Sequence, residues 1–207
     1  MKGQIKEMLE LEYKLASKNI NYRRLVYLGV AKSIEIILTK LDYENFKVEL
    51  VDIWHFLMSY LLTQNTIDEC ITFIYQNMDV TPVKEKLPNE LTAENNLKID
   101  DILLPYEELM AYALLKTDSE EYQKEFVKRF FVCLNSASMS FTDLYTLYIG
   151  KNVLNKFRQD HGYKDGTYKK IWANGQEDNV SMQYILKQNP DFGFDELYAE
   201  LEKEYQK

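Results

Sequence analysis

The chain has 207 residues, 46% of them hydrophobic, with 16 tyrosines, 10 phenylalanines and a formal net charge of −8. This is ample material for a sizeable core and excludes long disorder. The acidic balance excludes broad nucleic-acid binding, which needs an extended basic surface, and no apolar run approaches the roughly 18 uncharged residues of a membrane span.

Four prolines interrupt the sequence, and apolar residues recur every three or four positions. The pattern predicts an all-α fold, a compact helical bundle forming one domain over residues 1–207. The N-terminus, MKGQIKEMLELEYK, has charges where a signal peptide needs an apolar stretch, so a cytoplasmic location is expected. Cys70 and Cys133 lie within apolar helical patterns without metal-ligand spacing and are expected as buried free thiols.

In chain order, Ile5, Met8, Leu11 and Leu15 predict a helix over 5–18, and Leu25, Leu28, Ala31, Ile36 and Ile37 one over 22–40. Asp42 is the expected N-cap of a third helix, 44–63. Within it Glu49 and Asp52 are three apart and project from one face about one turn apart. Carboxylates so placed can share a divalent cation, or they can face solvent or pair with lysines. Their neighbours Leu50, Val51, Ile53 and Trp54 favour a buried or cleft position. A fourth helix covers 67–77, and residues 79–99, with Pro82 and Pro88, read as a surface loop or insertion. Helices are predicted at 101–115, with Pro105 near the first turn, and at 119–134. Ser140 and Asp143 form a capping signal for a helix over 141–159. The last two helices are predicted at 178–189 and 194–205.

The stretch 148–179, YIGKNVLNKFRQDHGYKDGTYKKIWANGQEDN, holds four of the seven glycines. Between positions 151 and 170 it carries six Lys or Arg against two Asp, a local balance of +4 in an acidic chain. A basic segment among turn-forming glycines suits an anion such as phosphate, although such a segment can equally be a solvated loop. On a helix Lys151, Asn155 and Arg158 fall within an arc of about 60°. That face offers an ammonium, an amide and a guanidinium to phosphate oxygens. Tyr163, Lys169, Lys170 and Trp172 follow and can fold back toward it. Tyr163 and Trp172 could stack a base or simply pack. His55 and His161 have no Ser or Cys partner at a suggestive spacing, so nucleophilic catalysis has no support, and His55 is expected at the edge of the core.

This long motif, with VELVDIWHF at 48–56 and NYRRLVYLG at 21–29, resembles the dimeric all-α dUTPases within the all-α nucleoside triphosphate pyrophosphatases. The resemblance implies a rigid helical core, a homodimer, and hydrolysis of dUTP to dUMP and diphosphate by water acting with Mg²⁺. It assigns phosphate contacts to Lys151, Asn155, Arg158, Tyr163, Lys170 and Asn179, and metal binding and catalysis to Glu49 and Asp52.

Two departures accompany it. The family takes two further metal-binding glutamates from the preceding helix, just after an Arg-Arg pair that corresponds to Arg23 and Arg24, and those positions here are Gly29 and Lys32. Glu35 lies about 5 Å further along the helix axis and is a possible substitute ligand. Where the family has a Gln and an Asn on its first helix, this chain has Glu12, Tyr13 and Ala16, so uracil specificity is not implied. Three expectations follow. The chain is a dUTPase-like nucleotide-binding protein with weak or no hydrolysis, an active Mg²⁺-dependent diphosphatase with a rearranged metal site, or a non-catalytic helical interaction protein.

Overall fold

A computed structural model describes residues 1–79, 93–115 and 117–206, with the backbone alone over 93–97. Among the described residues there are nine α-helices and no strand, as the periodicity predicts. No described helix is long and apolar enough to cross a membrane. The chain divides into two compact units, Met1–Phe141 and Thr142–Lys207.

In the first unit α1 (Lys2–Tyr13), α2 (Tyr22–Lys40), α3 (Tyr43–Gln64) and α4 (Ile67–Asn77) are followed by α5 (Ala93–Ala113) and α6 (Glu120–Ser136). α3 is the central element, with 13 of its 22 residues buried. A helix apolar around most of its circumference can only be stable when surrounded. α1, α2, α4 and α6 all pack against it, while α5 lies against α2 and α6. Trp54 stacks on Phe130 at 4.9 Å between centroids and meets Phe131 edge-on at 5.7 Å, which fixes α3 against α6. Asp42 caps α3 as expected, its side chain accepting from Asn45 N at 3.1 Å. α4 starts in a full capping box of Thr66 and Glu69.

Three local readings are corrected. α1 stops at Tyr13 rather than continuing to 18, and Leu15 is 63% exposed. The chain turns there because Leu15 N and Ala16 N both bond to Glu12 O, and the Tyr22 hydroxyl accepts from Ser17 N at 2.7 Å. Leu28 is exposed because α2 buries Val26, Val30, Ser33, Ile36 and Ile37 instead. Of the stretch read as a loop over 79–99, residues 80–92 lie outside the described residues, and α5 is already helical from Ala93. Pro105 therefore sits inside that helix, not in its first turn. α6 is tied to the helix on either side of this proline: the Ser136 hydroxyl donates to Ile102 O, and the Cys133 thiol to Pro105 O.

The second unit contains α7 (Phe141–Asp160) from its second residue onward, α8 (Asp178–Gln188) and α9 (Phe194–Tyr205). Its core joins Val153, Leu154 and Phe157 of α7 to Met182 and Leu186 of α8 and Leu201 of α9, with Trp172 from the intervening segment. Phe157, His161, Tyr168, Trp172, Tyr198 and Tyr205 form one ring cluster, so α9 packs directly against the segment after α7.

Candidate functional site

Glu49 and Asp52 lie on α3, one turn apart, with Glu49 buried and Asp52 half-buried. α2 runs beside this face. The Lys32 ammonium donates to Glu49 Oε1 at 2.6 Å, with the lysine side chain 60% exposed and the glutamate side chain 7% exposed. Of the options open in the sequence, pairing with a lysine is the one the structure gives for Glu49. Glu35 lies exposed on α2, and its carbonyl accepts from Thr39. Gly29 marks a close approach of α2 to α3, since a Cβ there would come within 2.9 Å of Ile53 Cγ1. Among the described residues no group of three or more His, Cys, Asp or Glu is arranged to hold a metal.

The Arg-Arg pair separates in role. Arg23 Nη1 donates to Leu115 O at 2.5 Å and Thr117 O at 2.9 Å, tying α2 to the α5–α6 connection, whereas Arg24 is exposed. At the end of α1, Glu12 is buried and accepts from the Ser59 hydroxyl, and His55 Nδ1 lies 2.7 Å from its other oxygen. His55 thus sits at the core edge with a carboxylate orienting its ring. Tyr13 and Ala16 line an open cavity of about 780 Å³ that also takes in Lys18, Leu62 and Asn65; neither Glu49 nor Asp52 borders it.

In the second unit the sequence dictates how the basic segment is shaped. α7 ends in a Schellman motif: Gly162 N bonds to Gln159 O, and Tyr163 N to Arg158 O at 2.9 Å. Gly162 has φ +85°, and a Cβ there would collide with Thr167 Oγ1, so glycine is required on both counts. Further on, Asn174 and Gly175 form a tight turn, with Gly175 at φ +78° and Asn174 Oδ1 accepting from Gln176 N. That turn pairs Trp172 N with Gln176 O and Asp178 N with Lys170 O, both at 2.9 Å. It carries Asp178 and Asn179 back to the C-terminal part of α7.

Arg158 is the centre of the resulting network. Its Nε and Nη2 donate to the two oxygens of Asp178 at 2.8 and 2.7 Å, a buried bidentate pair. Nη1 donates to Asn155 Oδ1 at 3.1 Å and Nη2 also to Asn179 Oδ1 at 3.3 Å. Burial alone would lower the guanidinium pKa, but Asp178, together with Tyr168 and Tyr163, holds it above its ordinary value. The Tyr168 hydroxyl donates to Asp178 Oδ2 at 2.9 Å and accepts from Trp172 Nε1 at 3.1 Å. Burial, together with the neighbouring Asp178, pushes the Tyr168 phenol well up.

The structure therefore brings Asn155, Arg158 and Asn179 together by direct hydrogen bonds. Tyr163 leaves the same turn with its ring exposed, and Lys170 is exposed with its backbone on Asp178. Lys151, two turns before Arg158, is buried. Trp172 is packed rather than open, which settles its role in favour of the core. Sequence reasoning missed Asp178. Its only signal was an acid beside Asn179 at the start of α8, which reads equally well as an ordinary helix-start residue.

No curated protein gives a match to the chain. A family model described as dUTPase matches residues 37–163, well over half of the sequence, and takes in Glu49, Asp52, Lys151, Asn155, Arg158 and Tyr163. It begins after Gly29, Lys32 and Glu35 and ends before Lys170, Asp178 and Asn179. With an all-helical fold and this match, the chain belongs to the all-α dUTPase family, a family of nucleotide hydrolases.

Proposed function

We propose that this chain is a nucleotide-binding member of the family that hydrolyses dUTP-like substrates weakly or not at all. Asn155, Arg158, Tyr163, Lys170 and Asn179, with Lys151, hold the phosphates. Support comes from the gathering of Asn155 and Asn179 around the Arg158 guanidinium, and from an exposed lysine and tyrosine on the adjoining segment. Arg158 has one Nη1 N–H without a partner among the described residues, so it acts chiefly by fixing the two asparagines.

The observation that carries the loss of hydrolysis is the 2.6 Å bond between Lys32 and Glu49. The family reaction implies Mg²⁺ at Glu49 and Asp52, and the donor set does not fit it. One of the two carboxylates is neutralised by an ammonium, a second helix position is a glycine closed over by Ile53, and Glu35 lies exposed on α2. A divalent cation prefers six or more oxygen ligands and is repelled by a fixed positive charge among them. Glu49 and Asp52 keep the family's catalytic positions without its metal chemistry. A cytoplasmic homodimer completes the proposal, the dimer resting on the resemblance.

The test is diphosphate release with each dNTP in Mg²⁺ or Mn²⁺, alongside calorimetry with dUDP. Turnover near or above about 1 s⁻¹, the lower range for ordinary enzymes, refutes the loss of hydrolysis. Asn155→Ala and Lys170→Ala, both at exposed positions, are expected to weaken dUDP binding about tenfold each, the worth of one charge-assisted hydrogen bond. Absence of any nucleotide binding overturns the proposal in favour of a helical interaction protein.

A further inference from the structure

Within the second unit, the polar atoms around Arg158 point in directions that their chemistry dictates. A guanidinium carries N–H donors and no acceptor, so an amide that bonds to it must turn its oxygen inward. Asn155 and Asn179 both do so, with Oδ1 3.1 Å from Nη1 and 3.3 Å from Nη2. Their Nδ2 donors are left outside the network, where neither has a partner among the described residues. Asn155 is exposed and Asn179 half-buried, so solvent reaches both amides. One Nη1 N–H of Arg158 is uncommitted as well.

The acceptors are used up instead. Asp178 is fully buried, and its roughly four lone-pair sites are filled. Oδ1 accepts from Arg158 Nη2 and Asn179 N, and Oδ2 from Arg158 Nε and the Tyr168 hydroxyl. This carboxylate has no site left for a ligand. It compensates the guanidinium and, through it, holds both amides with their hydrogens outward, which makes Asp178 a positioning residue. The cradle presents N–H donors, and its one carboxylate is sealed inside.

We propose that Asn155, Arg158 and Asn179 form a donor-only cradle, oriented by Asp178, that selects oxyanions without an O–H: it takes a fully ionised terminal phosphate, disfavours the same group once protonated, and does not tell a phosphate ester dianion from sulfate. A protonated phosphate sets a donor against donors and leaves its O–H without an acceptor. The inference rests on the nucleotide-binding reading above and adds the ionisation state that is bound; the two can fail separately.

The test is NMR on the full chain, following the side-chain amide signals of Asn155 and Asn179 during titration with methyl phosphate and with sulfate, at constant ionic strength. A phosphate monoester takes up a proton near about pH 6, so it is a dianion at about pH 8 and carries one O–H at about pH 5. Sulfate is a dianion at both and reports any titration of the protein itself. The groups that face the guanidinium are Asp178 of α8 and, from the segment between α7 and α8, Tyr168 and Tyr163. The two anions are expected to bind within about threefold of each other at about pH 8, and methyl phosphate alone to lose about tenfold at about pH 5. Asn155→Asp sets an acceptor in place of the outward donor, while its other oxygen can still accept from Arg158. It should lose sulfate about tenfold or more, and protonated methyl phosphate less, because that ligand's O–H can donate to the new oxygen. Thermal denaturation checks folding; should this variant unfold, the wild-type comparison at the two pH values decides. Methyl phosphate that holds its affinity at about pH 5, or equal sulfate binding by Asn155→Asp and wild type, overturns the inference. Amide signals that ignore both anions in a protein that binds dUDP overturn it alone. No binding of either anion or of dUDP removes both readings.

Discussion

Replacing Asp178 by alanine is the most direct probe of the network that shapes the basic segment. The substitution leaves Arg158, itself buried, without its bidentate carboxylate, and it removes the acceptor of the Tyr168 hydroxyl and of Asn179 N. Removing one member of a buried ion pair costs about 3–5 kcal/mol. Asn155 and Asn179 still accept from the guanidinium, which places the expected loss at the lower end, about 3 kcal/mol. With a urea m-value of about 2 kcal/mol/M, the unfolding midpoint should fall by about 1.5 M. Trp172 donates to Tyr168 inside this network, and the only other tryptophan is Trp54. Fluorescence in a Trp54→Phe background, used as the reference for each variant, therefore reports from the network itself. Asp178→Asn keeps the shape and an acceptor oxygen and should lose about half as much. A midpoint shift below about 0.5 M for Asp178→Ala would refute the view that this pair organises the segment.

Two further outcomes are expected. The Asp160 carboxyl lies below the ordinary aspartate range because Lys156, then Tyr198, hydrogen-bond to its charged form. A depressed pKa contributes stability that is present above the unfolded value and lost as pH falls through the folded one, so this tie to α9 weakens below about pH 4. An NMR titration of Asp160 should move up in Tyr198→Phe, and an unchanged titration refutes the assignment. Burial, with a smaller contribution from Glu69, pushes the Cys70 thiol up to about 12, and burial raises Cys133 well above its ordinary value. Both thiols should resist a thiol reagent at pH 8 in the native protein and react together in denaturant; rapid native labelling of either contradicts the packing around α4 and α6.

Most helix limits were readable because their causes are local. α2 and α4 begin and end where apolar spacing and flanking polar residues place them, and Asp42 and Ser119 cap as short polar residues should. α5 was misread because prolines before it suggested a longer break, and because a proline is expected in the first turn of a helix whereas Pro105 lies in the interior of this one. The acids on α3 were legible from spacing. The partner of Glu49 was legible only through the resemblance, which placed Lys32 at a metal-ligand position. Arg158 and Asp178 are 20 residues apart, and Glu12 and Ser59 are 47 apart. No local pattern encodes such pairs, because the Asn174–Gly175 turn and the packing of α1 on α3 create them.

The contact between Gly29 and Ile53 also restricts the routes by which this sequence could change. A glutamate introduced at 29 would push into Ile53 before it could contribute a ligand, and it would separate two helices that form the centre of the first unit. A smaller residue at 53 has to come first, and that step alone opens a cavity and gains nothing. Position 32 carries no such obstacle, since its side chain already reaches solvent. The two α2 positions are thus constrained differently: position 32 has room but carries the cation that the buried Glu49 needs, whereas the glycine is held in place by the packing of Ile53.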